Sequence, residues 1–373
     1  MSQCLKQVLT QHALNAIIAC GGGAVETPEV RAMLREHTHP SGSSAPGHVI
    51  CVTRAIEDVE QTLNADASRP VAGLAGPREL YATRAPLYSQ VATREFVIRR
   101  GDTDLPRLSV EFARFCASCL GLRSILTRVS SASAAAIAAT ATVPTAAVNP
   151  SALQMYSTGG AYKRPLGENT FFLSLTFPDL RDAAAVLTAS SPAGEHVLAG
   201  VDAVELRVDL LNDTSISSVQ DQLALLRQYT ALPVIFTVRT RSQGGKFPDE
   251  PIEAMFDLLK LGVRCGCEMI DVEFSPPELE SIDPQSFLKA ARLRNALLAD
   301  IKQFPACPEI IGSCHLPQSN GRSPDDLISV FDRCHRGGLV SHRIMGTLPS
   351  QLNVCSTYRS ITVITIALSR VSC

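Results

Sequence analysis

The second half of the chain sets ionisable side chains inside short apolar runs that otherwise read as strand cores: Val204-Glu205-Leu206-Arg207-Val208-Asp209, Val234 to Arg239, Ile270-Asp271-Val272-Glu273-Phe274 and Ile310 to His315. A buried charge is costly unless it is partnered, so four such runs in succession point to a constructed site. An imidazole such as His315, with an ordinary pKa of about 6.5, suits proton transfer at neutral pH; the alternative is a core or capping histidine. The forked donors of Arg207 and Arg239 suit an oxygen-rich ligand carrying hydroxyls or a carboxylate. They also suit ion pairs with Glu205, Asp271 or Glu273, and the two uses are compatible.

The elements that must hold these groups follow a strand and helix rhythm. Strands are predicted at Phe171 to Thr176, Ala203 to Leu210, Pro233 to Thr240, Met269 to Ser275, Glu309 to His315 and Ser341 to Gly346. Helices are predicted between them at Asp179 to Ala189, Val219 to Gln228, Glu253 to Leu261, Pro284 to Asp300 and Pro324 to Cys334. A βα series of six strands reads as a parallel α/β fold, a (β/α) barrel or a doubly wound sheet. The charged residues lie at or near the carboxyl ends of the strands, where barrel enzymes build their sites, which favours the barrel.

Upstream, residues 1–122 show α/β texture, with helices near Leu5 to Leu14 and from Thr27, Ile56 and Leu80, and strands at Ala16 to Cys20 and His48 to Thr53. From 123 to 168 the chain turns to Ser, Ala, Thr and Pro without periodicity, as in Ser130 to Thr142, and reads as a linker. Residues 169–373 hold the barrel-like series. A formal charge of −2 argues against a nucleic-acid or anionic-membrane footprint. The 45% of hydrophobic residues include no run near the roughly 20 needed to span a bilayer, which predicts a cytoplasmic protein. The 12 cysteines are scattered, and the pairs Cys116/Cys119 and Cys265/Cys267 lack a second pair at zinc-finger spacing, so no metal site is expected.

Phe172 to Asp179 (FLSLTFPD), Val204 to Leu211 (VELRVDLL), Phe236 to Gly245 (FTVRTRSQGG) and Ile270 to Glu273 (IDVE), with a following strand that ends in His315, resemble type I 3-dehydroquinate dehydratase. The resemblance implies a (β/α)8 TIM-type barrel that converts 3-dehydroquinate to 3-dehydroshikimate through a lysine Schiff base, without a metal or other cofactor. Carried over, it makes His315 the general acid and base and Ser174, Glu205, Arg207 and Arg239 contacts to the substrate. Asp271 and Glu273 match the fourth strand's carboxylates, and Gln243 stands where many members have a glutamate near the histidine, so that orientation of the ring would rest here on a neutral hydrogen bond. Arg343, in Arg343-Ile344-Met345-Gly346-Thr347, stands on the Schiff-base lysine of Lys-x-x-Gly-Thr. A guanidinium stays protonated and is no amine nucleophile. The barrel is expected to be truncated after about six strands, because Leu348 to Cys373 is too short for two further strand and helix units.

Ile18 to Glu26 (IACGGGAVE), Arg69-Pro70 and Thr83 to Ala92 (TRAPLYSQVA) resemble the later part of a shikimate kinase, a partial P-loop-kinase-like α/β domain. That implies shikimate binding by Gly21, Gly22, Gly23 and Arg84 and nucleotide binding by Arg69. An intact kinase would use ATP and Mg2+, but no G-x-x-x-x-G-K-[ST] run occurs, so no kinase activity is expected. Kinase followed by dehydratase is the domain order of fungal pentafunctional AROM polypeptides, which implies a possible homodimer. Two alternatives are a non-catalytic metabolite sensor resembling the quinate repressor, and a truncated or mis-spliced product.

Overall fold

The computed structural model describes residues 2–11, 16–39, 47–65, 76–120, 170–188, 197–198, 201–274, 283–302 and 308–315, and the backbone of 343–345 and 363–368. The predicted linker at 123–168, the helix at Pro324 to Cys334 and Arg69 lie outside them. The chain divides into two compact units, Met1–Ser109 and Val110–Cys373.

The first unit runs α1 (Ser2–Gln11), α2 (Pro28–Thr38), β1 (Ile50–Arg54), α3 (Ile56–Ala65), α4 (Pro77–Val91) and β2 (Arg94–Ile98), and α5 (Leu105–Cys119) begins in it. Its two strands pair in parallel. The stretch Ala16 to Cys20 is not a strand, and Ile17 is 79% exposed. Its apolar residues gain nothing from an extended conformation here, since no neighbouring strand among the described residues accepts them. A 3-10 turn at Gly22–Glu26 follows instead, and its Ala24 and Val25 pack with Leu5, Val30, Leu34 and Val91.

The second unit is built on one parallel sheet. Its strands are β3 (Thr170–Leu175), β4 (Ala203–Arg207), β5 (Val234–Thr237), β6 (Met269–Glu273), β7 (Glu309–Ser313), β8 (Arg343–Met345) and β9 (Val363–Leu368), in the spatial order β8-β7-β6-β5-β4-β3-β9. Six successive strands, β3 to β8, lying side by side in chain order is the winding of a barrel wall, though β8 and β9 are the two edges of the sheet among the described residues. A barrel truncated after about six strands was expected, and the sheet, open at both edges, holds seven among the described residues. Val363 to Leu368 (VITIAL) is rich in β-branched residues, and its pairing runs from Thr170↔Val363 to Leu175↔Leu368. A single strand needs no second helix to reach that edge, so counting whole strand and helix units missed it.

Helices α6 (Ala184–Thr188), α7 (Ile216–Tyr229), α8 (Ile252–Arg264) and α9 (Pro284–Lys302) join the strands. Ser215 caps α7 by accepting from the Ser218 amide, and α8 has Glu253 in its first turn and Arg264 in its last, matching the helix dipole. The predicted helix at Asp179 to Ala189 shortens to five residues. Asp179 accepts from the Arg181 amide and Gln222 of α7 takes the Leu180 amide, so side chains claim the backbone donors that a helix start would use. α8 lies close on β5: a Cβ at Gly262 would stand 2.7 Å from the Phe236 ring. Gly262→Ala should accordingly lower stability by about 1–3 kcal/mol through overpacking, read as a fall in the denaturant midpoint at unchanged slope.

Candidate active site

Side chains two apart on a strand share a face, and that rule organises the barrel interior into levels. Phe172, Ala203, Ile235, Met269 and Ile311 form a buried apolar cluster. One step further along the same strands stand Ser174, Glu205, Thr237, Asp271 and Ser313, all buried. A second step reaches Arg207, Arg239, Glu273 and His315 at the carboxyl ends. The polar groups are thus stacked on an apolar floor that shields them from water on one side.

Arg239, 4% exposed, is the hub. Its Nη1 donates to Glu273 Oε1 at 2.9 Å and to Ser313 Oγ at 2.8 Å, and its Nη2 donates to Asp271 Oδ2 at 2.7 Å. The Ser313 hydroxyl in turn donates to Asp271 Oδ1. Glu273 also accepts from the backbone amide and the hydroxyl of Thr240, at 3.1 and 2.7 Å. Burial pushes the Glu273 carboxyl up to about 6 even so, against the pull of Arg239. Arg207 takes a different partner from those expected. Its Nε and Nη2 grip the two oxygens of Asp209 at 2.8 Å each, a forked geometry that fixes the guanidinium plane. Asp209 accepts from the Lys246 amide as well, at 3.1 Å, and so ties the end of β4 to the loop after β5.

That loop needs its glycines. Gly244 sits at φ +83°, and a Cβ at Gly245 would fall 2.1 Å from the Arg239 carbonyl oxygen. It carries Gln243, whose Oε1 accepts from the backbone amide of His315 at 2.8 Å while its Nε2 donates to the Phe274 carbonyl at 3.1 Å. Gln243 was expected to orient the histidine by a neutral hydrogen bond; this one is made to the main chain and pins the strand ends that carry Glu273 and His315.

His315 is half-buried, and its imidazole is pushed down to about 4 by desolvation and then by the positive charge of Arg239, with Asp271 opposing and Arg207 adding to the effect. At neutral pH the ring is therefore neutral and can accept a proton. Its folded value lies below that of the unfolded chain, about 6.5, so the unfolded state takes up a proton first as the pH falls. Stability should be full above pH 6.5 and decline between about 6.5 and 4, by on the order of 3 kcal/mol for this group. Glu273, with a raised value, works in the opposite sense between about 4.3 and 6. The histidine's share is read from urea midpoints of wild type minus His315→Asn across that range, and the ring's titration by NMR should centre near 4.

The sequence-predicted residues Ser174, Glu205, Arg207, Arg239, Asp271, Glu273 and His315 thus stand on or just beyond adjoining strands, and Gln243 on the loop after β5. Arg343 starts β8, in register with Ile311, and Met345 registers with Ser313. Thr237, Asp209 and Ser313 were not foreseen. The available signal for Thr237 and Ser313 was their period-two relation to Arg239 and His315.

In the first unit, Gly22, Gly23 and Arg84 come together. A Cβ at Gly22 would meet the Tyr88 hydroxyl at 3.0 Å, and one at Gly23 would meet Arg84 Nη2 at 3.2 Å; around Gly21 there is open space. Arg84 Nε donates to Glu26 Oε1 at 2.7 Å.

Comparison with known proteins agrees with this division. The type I 3-dehydroquinase family model matches residues 171–350, the span of the polar levels. Those residues are similar to the type I 3-dehydroquinase family. The shikimate kinase model matches residues 1–105, so a shikimate kinase segment precedes the dehydroquinase segment. A pentafunctional AROM polypeptide of Malassezia globosa is 36% identical over 284 residues, covering 74% of this chain and 14% of the relative. The chain therefore spans about one seventh of that relative's length. Among solved structures, the dehydroquinate dehydratase and shikimate dehydrogenase of S. pombe AroM is 28% identical, covering 44% of this chain and 29% of that one at a TM-score of 0.33. A type I 3-dehydroquinate dehydratase of Clostridium difficile is 17% identical, with coverages of 55% and 78% and a TM-score of 0.37. Among the described residues no helix is long and apolar enough to cross a membrane, and no group of His, Cys, Asp or Glu has the arrangement of a metal site.

Proposed function

We propose that the dehydroquinase segment binds 3-dehydroquinate and holds the proton-transfer half of a dehydratase, while the amine half is missing. The observation that carries this reading is the coexistence of a neutral His315 beside two fixed guanidiniums with an arginine at position 343. In the reading, Arg207 and Arg239 hold the ligand's oxygens, His315 accepts the proton beside the carbonyl carbon, and the imine step has no nucleophile of its own. The activity is that of a lyase by family, and the molecule as written acts as a binder of its substrate. That outcome favours a metabolite-sensing role over turnover. The kinase segment performs no phosphoryl transfer in this reading, and the compartment is the cytosol, in keeping with the thiols of Cys4, Cys20, Cys116 and Cys267.

Borohydride trapping and calorimetry on the full chain test it together. Heat of binding with no reduced lysine adduct is the expected result. Absence of binding overturns the reading, and an adduct on any lysine overturns the binder without amine chemistry.

A further inference from the structure

Arg239 is bonded to two of the three interior carboxyl groups, Asp271 and Glu273, and Arg207 turns its fork to Asp209. Glu205 is left over. It is 6% exposed and stands one level below Arg207 on the same strand face. It registers with Ser174 on β3 and accepts the Thr237 hydroxyl of β5 at 2.7 Å. Among the described residues no cation forms an ion pair with it. Hydroxyls differ from guanidinium in accepting as readily as they donate, so they can satisfy a carboxylic acid as well as a carboxylate. A buried carboxylate with only hydroxyl partners and another anion nearby is the state that a protein avoids by taking up a proton.

We propose that Glu205 is a neutral carboxylic acid in the resting protein at neutral pH and serves the site as a hydrogen-bond donor, directed at a carbonyl or hydroxyl oxygen of the bound ligand. The groups facing it are Ser174 on β3, Thr237 on β5 and Asp271 on β6, with Arg207 ahead of it on β4 and the Arg239 guanidinium within electrostatic range. Burial is the chief influence raising its carboxyl and the negative charge of Asp271 adds to it; Ser174, Thr237 and Arg207 oppose. The proton also removes a conflict within the cluster, because Glu205, Asp271 and Glu273 would otherwise set three negative charges around the single guanidinium of Arg239. A donor at this level selects for a ligand with an acceptor oxygen and against one with an ammonium group at the same place. The donor role toward ligand rests on the proposed function; the protonation state does not.

The test on the full chain uses infrared difference spectra and pH profiles. Wild type at pH 7 should show the carbonyl stretch of a protonated, water-shielded carboxylic acid, shifted by deuterium oxide, absent in Glu205→Gln and retained in Glu273→Gln. Because the acid is raised in the folded state, the unfolded chain loses its proton first. The share of Glu205, read as wild type minus Glu205→Gln, should then fall as the pH rises from about 4.3 toward the folded value. Glu205→Ala should weaken 3-dehydroquinate binding about tenfold, the worth of one hydrogen bond. A wild-type spectrum without the acid band overturns the proposal even if the variants do not fold. The band without any 3-dehydroquinate binding leaves the neutral acid standing and sinks the ligand reading alone.

Discussion

Arg343→Lys should convert the chain from one that yields no borohydride-reducible adduct with 3-dehydroquinate into one that yields a single adduct at position 343. Dehydration should rise with it, by at least about a thousandfold, because an imine mechanism without its amine lacks a covalent step for which positioning and proton transfer do not substitute. The expectation rests on placement. β8 pairs in parallel with β7, in a register that sets Arg343 against Ile311 and Met345 against Ser313, and His315 follows Ser313 by two residues. A side chain starting there lies on the strand next to the one that bears the imidazole. Mass spectrometry of the reduced, digested variant identifies the labelled residue, and the absorbance of the conjugated product measures turnover. No adduct in the lysine variant, with binding intact, would show that the β8 register does not deliver an amine to the carbonyl.

Arg239→Met should cost about 3–5 kcal/mol of stability, the largest loss expected from any single site substitution here, because it strips the cation from two buried carboxylates at once. The flexible thioether approximates the volume of the arginine stem, so the loss measures charge and hydrogen bonding more than cavity formation. Asp271 and Glu273 would be left among the hydroxyls of Ser313 and Thr240. They would meet that by taking up protons, so the variant should recover part of the lost stability as the pH is lowered from 7 toward 5. Chemical denaturation at several pH values reads both effects. A loss below about 1 kcal/mol, the range of exposed pairs, would mean that water reaches the hub.

Much of this site was legible in the sequence because ionisable residues are conspicuous inside apolar runs, and alternation along a strand predicts which of them share a face. Glu205 with Arg207, and Asp271 with Glu273, are such pairs. Hydroxyls carry no comparable mark: Thr237 and Ser313 occur in runs where a threonine or serine is ordinary, and only the strand register places them among the charges. The partner of Arg207 was hidden for a related reason. Asp209 is two residues along, but β4 ends at Arg207 and a 3-10 turn bends the aspartate back onto the guanidinium, a local geometry that alternation alone does not describe. The Gln243 contact was foreseen in its partner and not in its atom, since composition says nothing about whether an amide meets a ring or a main chain.

The pairing of β9 with β3 joins the two ends of the second unit's strand series. Such a union is among the most distant in sequence that a domain of this size can make, and it is entropically slow to form. On the ribosome, β3 emerges before its partner, and the edge that receives β9 must wait, unzipped, until Val363 to Leu368 has been made. A nascent chain in that interval presents bare amides and carbonyls to whatever else is near, which makes chaperone capture of the growing polypeptide the natural companion of its synthesis.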